Sequence, residues 1–466
     1  MFKFDNNKNK TILENLEFIL GKENVLIDFE DRYMYAYDAF ASVEKNTLPD
    51  YVVLPSSAQQ ISEIMKLAYA NSIPVIARGA GTNMAGCCIP VEGGIVIHTS
   101  KMNKILDINV QNLTCKVQAG VVVGDLLKAV EEKGLFYPPD PSNLKVSTIG
   151  GSVALSSSGP RSFKYGGTKD YIIELEVVLA DGRIIKTGGS TVKNVTGYNL
   201  TQLFIGSEGT LGIVTEAQIR LIPKPHASKI MLVYFENIDD AANAVNAIIS
   251  ARLMPSVLDI IDQPTMLAIE RFYPSGLLTN MDAALFIEVD GNDNHLGEEI
   301  EKIEHICSLH NAKNIKAAQN EKETEEIWTA RRASFSSVAK LAPNVVAEDA
   351  VVPRENIPQM IREIKRISAK HNVNVCIMGH IGDGNLHPNF SVDLRNKDEA
   401  ERLDLAITEL FETAVNLGGT ISGEHGIGLA KTKYLSLALD PVVLDYMRQI
   451  KKLFDPKGIL NPKKAI

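Results

Sequence analysis

RGAGTNMAG, residues 78–86, closes a strand–helix–strand pattern, and its reading decides between two ways of holding a phosphate-bearing ligand. Upstream lie a β run (YVVLP, 51–55), a helix at 57–70 with Ile61, Ile64, Met65 and Ala68 on one face, and a second β run (IPVIA, 73–77). A dinucleotide-binding fingerprint would need G-x-G-x-x-G here and an acidic residue about 20 positions later. The third glycine position holds Met84, and the downstream segment reads IVIHTS (95–100). The sequence therefore resists the doubly wound dinucleotide fold. Successive glycines still let backbone N–H groups approach a phosphate, and Arg78 adds positive charge. The bland alternative is a plain tight turn.

Two further stretches favour a ligand. Residues 137–159 (YPPDPSNLKVSTIGGSVALSSSG) are dense in Pro, Gly and Ser, and loops of that length are uncommon without a task. Small side chains and bare backbone suit a segment lying against a large planar cofactor and its pyrophosphate. After strand-like 173–179 and 183–187, joined by an Asp181-Gly182 turn, residues 193–215 (KNVTGYNLTQLFIGSEGTLGIVT) are again glycine-rich. Three such stretches point to one extended ligand touching several loops.

A chain of 466 residues implies two or more domains. Net charge is −9, which argues against a nucleic-acid binder relying on bulk positive charge. No apolar run reaches the roughly 18 residues a bilayer span requires, and MFKFDNNKNK lacks the apolar core of a signal peptide. Five cysteines without a C-x-x-C pair, Cys87 and Cys88 being adjacent, argue against a disulfide framework or a four-cysteine iron–sulfur site. The expected location is cytoplasmic.

Beyond a boundary near 223–226, β runs (230–235, 284–289, 373–378) alternate with amphipathic helices (239–251, 297–311, 321–342, 357–372, 398–417). That predicts an α+β unit on an antiparallel sheet. Inside it, GHIGDGNLHPN (379–389) sets two histidines around a turn. With Asp383-Gly384 as a two-residue hairpin loop, His380 faces His387 on one side of the sheet, with Cβ atoms about 4.5–5.5 Å apart. Such a pair can share a divalent metal or a substrate; two satisfied core histidines are the alternative. Asn389 lies two residues beyond His387 on the same face. In the 321–342 helix, Ile327, Trp328, Arg331, Phe335 and Val338 form one stripe, which puts Arg331 on the apolar side. An unpaired guanidinium there would be costly. A bidentate carboxylate ligand or an internal ion pair would satisfy it equally well. Trp328, the only tryptophan, reads as core packing.

Six segments, in order, now carry a family resemblance: RGAGTNMAG (78–86), PPDPSNLKVSTIGGSVALSSSG (138–159), GYNLTQLFIGSEGTLGIVTE (197–216), GHIGDGNLHPN (379–389), SGEHGIG (422–428) and FDPKGILNP (454–462). The chain resembles the FAD-linked D-2-hydroxyacid dehydrogenases, the family of D-lactate dehydrogenase and the flavoprotein subunit of glycolate oxidase. The resemblance implies an α+β fold: a two-part FAD-binding domain of the vanillyl-alcohol-oxidase type plus an α+β substrate (cap) domain on an antiparallel sheet. The expected division is a helical lead-in (1–45), FAD-binding domain (46–225), substrate domain with the metal site (226–430) and a C-terminal segment returning to the FAD domain (431–466).

By the same resemblance, FAD is held by Arg78, Gly79, Ala80, Gly81, Thr82, Asn83, Gly86, Pro138, Asp140, Ser142, Thr148, Gly150, Gly151, Gly159, Gly209, Gly212 and Ile213, with Asn461 near the flavin. No histidine stands at 81–83, so the FAD is expected to be non-covalent, Cys87 and Cys88 lying just outside. His380, His387 and Glu424 form a His₂Glu set for a divalent metal, Zn or Fe. His425, in a loop relieved by Gly423, Gly426 and Gly428, is the candidate base, since histidine titrates near neutrality. The W-x-x-R context selects Arg331 as carboxylate anchor, with Arg332 the second choice, and Asp349 falls near the substrate. The implied reaction is FAD- and metal-dependent oxidation of a D-2-hydroxy acid, D-lactate favoured over glycolate and D-2-hydroxyglutarate. Electrons would pass to an electron-transfer flavoprotein or an iron–sulfur subunit, and a homo-oligomer is compatible with this. A flavin-binding electron-transfer subunit without substrate chemistry is the alternative, against which the His₂Glu-His set counts.

Overall fold

The computed structural model describes residues 6–41 and 47–466. The expected boundary at 45/46 lies outside the described residues. The N-terminal helices are Asn6–Leu20 and Phe29–Tyr33. Helix Ala58–Asn71 starts where the Ser57 hydroxyl accepts the Gln60 N–H, and it buries Ile61, Ile64, Met65 and Ala68. The strands flanking it, Tyr51–Val53 and Val75–Arg78, both pair in parallel with Ile95–His98. Val25–Leu26 completes this four-stranded sheet.

The next sheet has five strands, all antiparallel, in the order Ile105–Asn109, Thr114–Gln118, Ile213–Arg220, Ile172–Val178, Ile184–Gly188. The chain's end rejoins the first sheet. The Val75 N–H donates to the Ile459 carbonyl (2.7 Å), and the Asn461 N–H donates to the Val75 carbonyl (2.9 Å).

Residues 227–392 build a larger antiparallel sheet, ordered Asn314–Ala317, Ala227–Phe235, Ala283–Gly291, Val257–Asp262, Asn374–His380, Asn385–Val392, Asn344–Ala347, with Ala350–Val351 also on Asn385–Val392. Side chains alternate between its faces. On one face Met231, Val233, Leu258, Ile260 and Leu285 pack against helices Ile238–Ser250, Ile357–His371 and Lys397–Asn416. On the other, Ile230, Leu232, Ile261, Phe286, Cys376 and Met378 meet helices Gln263–Phe272 and Glu321–Val338. With both faces covered, Val257–Asp262 is buried along its whole length. That continuous burial hid it, and the helix after it, from a reading that looked for alternation.

The hairpin register differs from expectation by two residues. His380 pairs with Asn385, and Met378 with His387, so Ile381, Gly382, Asp383 and Gly384 form a four-residue loop. Tertiary contacts set this. The Gly382 N–H donates to the Leu258 carbonyl on the neighbouring strand (3.1 Å), and Gly384 turns the chain at φ +86°. His380 and His387 are therefore diagonal neighbours rather than directly opposed, and they remain on one face with ring centroids 5.2 Å apart. The Glu321 helix ends at Val338, and Phe335 is not part of its buried stripe.

Candidate active site

Period two along the strands and the helix stripe above them converge on one place. Asp259, His380, His387 and Asn389 project from the same sheet face, toward the helix carrying Trp328 and Arg331. All but Asp259 line a cavity of about 1000 Å³ that runs on between the glycine-rich loops of the first unit. Within that continuation lie Arg78, Gly79, Ala80, Gly81, Thr82 and Asn83 from the first loop. Asp140, Ser142, Thr148, Gly150, Gly151 and Gly159 come from the second, and Gly209 and Gly212 from the third.

These loops fit a pyrophosphate-bearing group. Among the described residues, the backbone N–H groups of Ala80, Gly81, Thr82 and Asn83 have no protein acceptor, an arrangement that binds anions. The backbone approach is close: a Cβ on Gly79 would lie 2.2 Å from Thr148 Oγ1, and Gly81 sits at φ +72°. Thr148 caps the short helix Ile149–Leu155 by accepting the Gly151 N–H (3.2 Å). That helix lies inside what the sequence presented as a loop.

Four expected cofactor residues lie off the cavity wall. Gly86 packs instead against Leu429 and Phe40. Pro138 is buried, and Ile213 belongs to the core beneath the first sheet. Asn461 is a buried buttress whose Nδ2 donates to the carbonyls of Glu208 (2.7 Å) and Cys87 (3.0 Å). It steadies the loops from behind.

The expected metal ligands do come together. The ligand atoms of His380, His387 and Glu424 all lie within 4.8 Å of one another. Glu424 Oε1 is 3.2 Å from His387 Nε2 and 3.5 Å from His380 Nε2. Two imidazoles and a carboxylate are a donor set for Zn or Fe with positions left for substrate, and these spacings fit ligand bonds of about 2.0–2.2 Å. Burial disfavours the Glu424 charge, but hydrogen bonds from the two histidines outweigh it and hold the carboxyl well below its ordinary range. Burial also works against charge on His380, yet the Asp259 and Glu424 carboxylates push it well above the usual histidine value.

Asp259 was not anticipated. Its Oδ1 accepts from His380 Nδ1 and its Oδ2 from Arg331 Nε, both at 2.7 Å. It thus turns His380 Nε2 toward Glu424 and fixes one edge of the guanidinium. Arg331 is therefore in an internal ion pair through its Nε, and its two Nη atoms have no hydrogen-bond partner among the described residues; the residue lines the cavity. Arg332 lies at the cavity rim, paired to Glu325 on the exposed side of the helix. Trp328 is a wall residue as well as a packing one: its Nε1 donates to Glu288 (3.2 Å), and the Arg161 guanidinium lies over its ring.

His425 stacks on His387 with centroids 5.1 Å apart and planes inclined by 10°. Burial pushes it down to about 4, so the neutral ring, the form that can accept a proton, prevails near neutrality. Asn389 donates to its own strand's His387 carbonyl (2.7 Å). Asp349 supports the loop from below: one carboxylate oxygen accepts the N–H groups of Gly423 (2.7 Å), Glu424 (2.7 Å) and His425 (3.0 Å). Lys431, wholly buried, neutralises it. No local pattern around Lys431 signals this role.

The FAD binding domain family matches residues 49–188, and the C-terminal domain family of FAD linked oxidases matches residues 224–465. The glycolate oxidase subunit GlcD of Bacillus subtilis is 48% identical over 98% of this chain and 96% of that protein. A D-lactate dehydrogenase of Anaerostipes hadrus is 34% identical over 98% of each chain. The solved p-cresol methylhydroxylase shares the fold at a TM-score of 0.82, with 17% identity over 99% of this chain and 97% of that one. The chain belongs to the FAD-linked oxidases, in the group of glycolate oxidase subunit GlcD and D-lactate dehydrogenase, with the vanillyl-alcohol-oxidase-type fold, and is an FAD-linked oxidoreductase.

Proposed function

We propose that this chain oxidises a D-2-hydroxy acid to the 2-oxo acid, with D-lactate the favoured substrate. One observation carries the reading: Arg331, His425 and the His380–His387–Glu424 set line the same cavity as the three glycine-rich loops. Bound FAD supplies the acceptor for the hydride leaving the α-carbon. A divalent ion held by His380, His387 and Glu424 would lower the pKa of the substrate hydroxyl.

The chain's own residues do the remainder. The Nη edge of Arg331 binds the substrate carboxylate, held in orientation by Asp259. The neutral His425 accepts the hydroxyl proton, and its stacking on His387 keeps it beside the ligand set. Trp328 and Phe335 give the site an apolar wall. Non-covalent attachment of FAD accords with Cys87, whose thiol donates to Glu208 and is pushed up by burial, away from the reactive thiolate. Electrons leave to a protein partner such as an electron-transfer flavoprotein or an iron–sulfur subunit; the relative at 48% identity bears the name of a subunit. That same name supports a second reading, glycolate as the substrate.

His425→Gln tests the assignment of the base. The variant should retain FAD, while flavin reduction by the preferred acid slows by a factor on the order of 10²–10⁴, the usual worth of a general base. A variant reduced at the wild-type rate would remove His425 from the reaction.

A further inference from the structure

Glu208, in the third glycine-rich loop, adopts φ +53°, a conformation that strains any side chain with a Cβ. It is buried, and among the described residues the hydrogen bonds of its carboxylate all go outside its own loop. Oε1 accepts the Ile427 N–H (2.6 Å), while Oε2 accepts the Gly428 N–H (2.8 Å) and the Cys87 thiol (3.0 Å). Ile427 and Gly428 follow His425 by two and three residues, and Cys87 directly follows the first glycine-rich loop. One side chain therefore ties the first and third cofactor loops to the segment carrying Glu424 and His425. Asp349 grips the opposite half of that segment, from the substrate sheet.

We propose that Glu208 is a positioning residue for the reaction. It registers the 422–428 loop, and with it Glu424 and His425, against the cofactor-binding unit. The idea rests on the roles given to those two residues above. The strained position is offset by what the carboxylate satisfies: two backbone N–H groups across the unit boundary, the Gly428 one buried, that have no other acceptor among the described residues. Without it the His425 end of the loop would keep Asp349 and the Asn83 Nδ2 hydrogen bond to the His425 carbonyl (2.8 Å). The Ile427–Gly428 half would lose its side-chain tie to the third cofactor loop, and the loop could tilt against the cavity.

Two substitutions separate positioning from plain structural support. Glu208→Gln turns one acceptor oxygen into a donor facing an N–H group. Glu208→Gly removes the carboxylate and at the same time relieves the backbone strain. Each FAD-loaded variant is titrated with Zn²⁺ against a chromophoric chelator and then reduced anaerobically with D-lactate or glycolate at saturating Zn²⁺. Both should keep stoichiometric FAD and lose Zn²⁺ affinity about tenfold, as when a supporting partner of a metal ligand is removed. Flavin reduction should slow by about a hundredfold, the cost of a misplacement of about 1 Å, with the acid's KM little changed.

A Glu208→Gly variant with wild-type Zn²⁺ affinity and wild-type reduction rate would overturn the proposal. So would loss of FAD and thermal stability with Zn²⁺ affinity intact, the signature of structural support alone. If the wild-type protein is reduced by neither acid, the assigned reaction fails, and the Zn²⁺ titration still decides the role of Glu208. If Glu208→Gln does not fold, the glycine variant decides alone.

Discussion

Asp259 shows how much one buried carboxylate can organise. It is fully buried, and burial alone would push its proton affinity up; Arg331 and His380 together reverse that and keep it charged. Replacing it with Asn would leave one of those two cations without a counter-charge and free the His380 ring to turn. Asp259→Asn should weaken metal binding by about 10–100-fold, as loss of a ligand's supporting partner typically does. It should also raise the KM for the acid, because Arg331 loses its fixed edge. Metal titration and steady-state kinetics on the same preparation check both; a variant with unchanged metal affinity would contradict the role given to Asp259. The sequence could not reveal it, since its two partners lie 72 and 121 residues away. By contrast Arg331 was legible, because helical spacing placed a guanidinium on a buried face, and only something anionic could meet it there. The internal anion is Asp259, which takes its Nε, while the residue itself lines the cavity.

At the scale of elements, hydrophobic period recovered five helices of the second unit and the strands at 227–235, 283–291, 374–380 and 385–392. It missed the short strands at 314–317, 344–347 and 350–351, the central strand Val257–Asp262, which is buried on both faces and shows no alternation, and the helix after it. The hairpin at 381–384 failed in a different way. Local turn chemistry favoured a two-residue Asp-Gly loop, and the hydrogen bond from Gly382 to Leu258 overrode it. The two histidines stayed on one face because the register moved by an even number of residues; an odd slip would have put one of them on the opposite face.

The helices behind the sheet hold each other partly by charge. Glu409 on Lys397–Asn416 takes Arg366, Lys370 and His371 from Ile357–His371, and hydrogen bonds from Lys370, His371 and Arg366 pull its pKa from 4.5 down to about 2. A carboxylate with a depressed folded-state pKa adds stability that is fully present above its unfolded value and is lost as pH falls through the folded one. Glu409→Gln should therefore lower the urea midpoint at neutral pH. The difference from wild type should shrink between about pH 4.5 and pH 2, where the wild type loses its own charge. A gap between the two that stays constant down to pH 2 would rule out the ionic contribution.

Across the whole molecule, the cavity is made by parts far apart in the chain. The glycine-rich loops, the histidine hairpin and the 422–428 loop meet only because the large sheet docks beside the first unit and the C-terminal segment returns to Val75. The three glycine-rich stretches signalled a shared ligand, and they do line one cavity. What the sequence could not give was the set of ties between units: Glu208 to Ile427 and Gly428, and Arg161 to Glu288. Each joins residues that show no local pattern, and each acquires meaning only from the other unit's position.

The most direct measurement is anaerobic mixing of the FAD-loaded protein with D-lactate, L-lactate, glycolate and D-2-hydroxyglutarate, following the flavin absorbance at about 450 nm, the oxidised-flavin band of the cofactor. The account predicts bleaching by D-lactate or glycolate and none by L-lactate. A chelator should abolish the bleaching and added Zn²⁺ or Fe²⁺ restore it. A flavin that dithionite reduces but none of these acids does, or one that bleaches equally fast after complete metal removal, would contradict it.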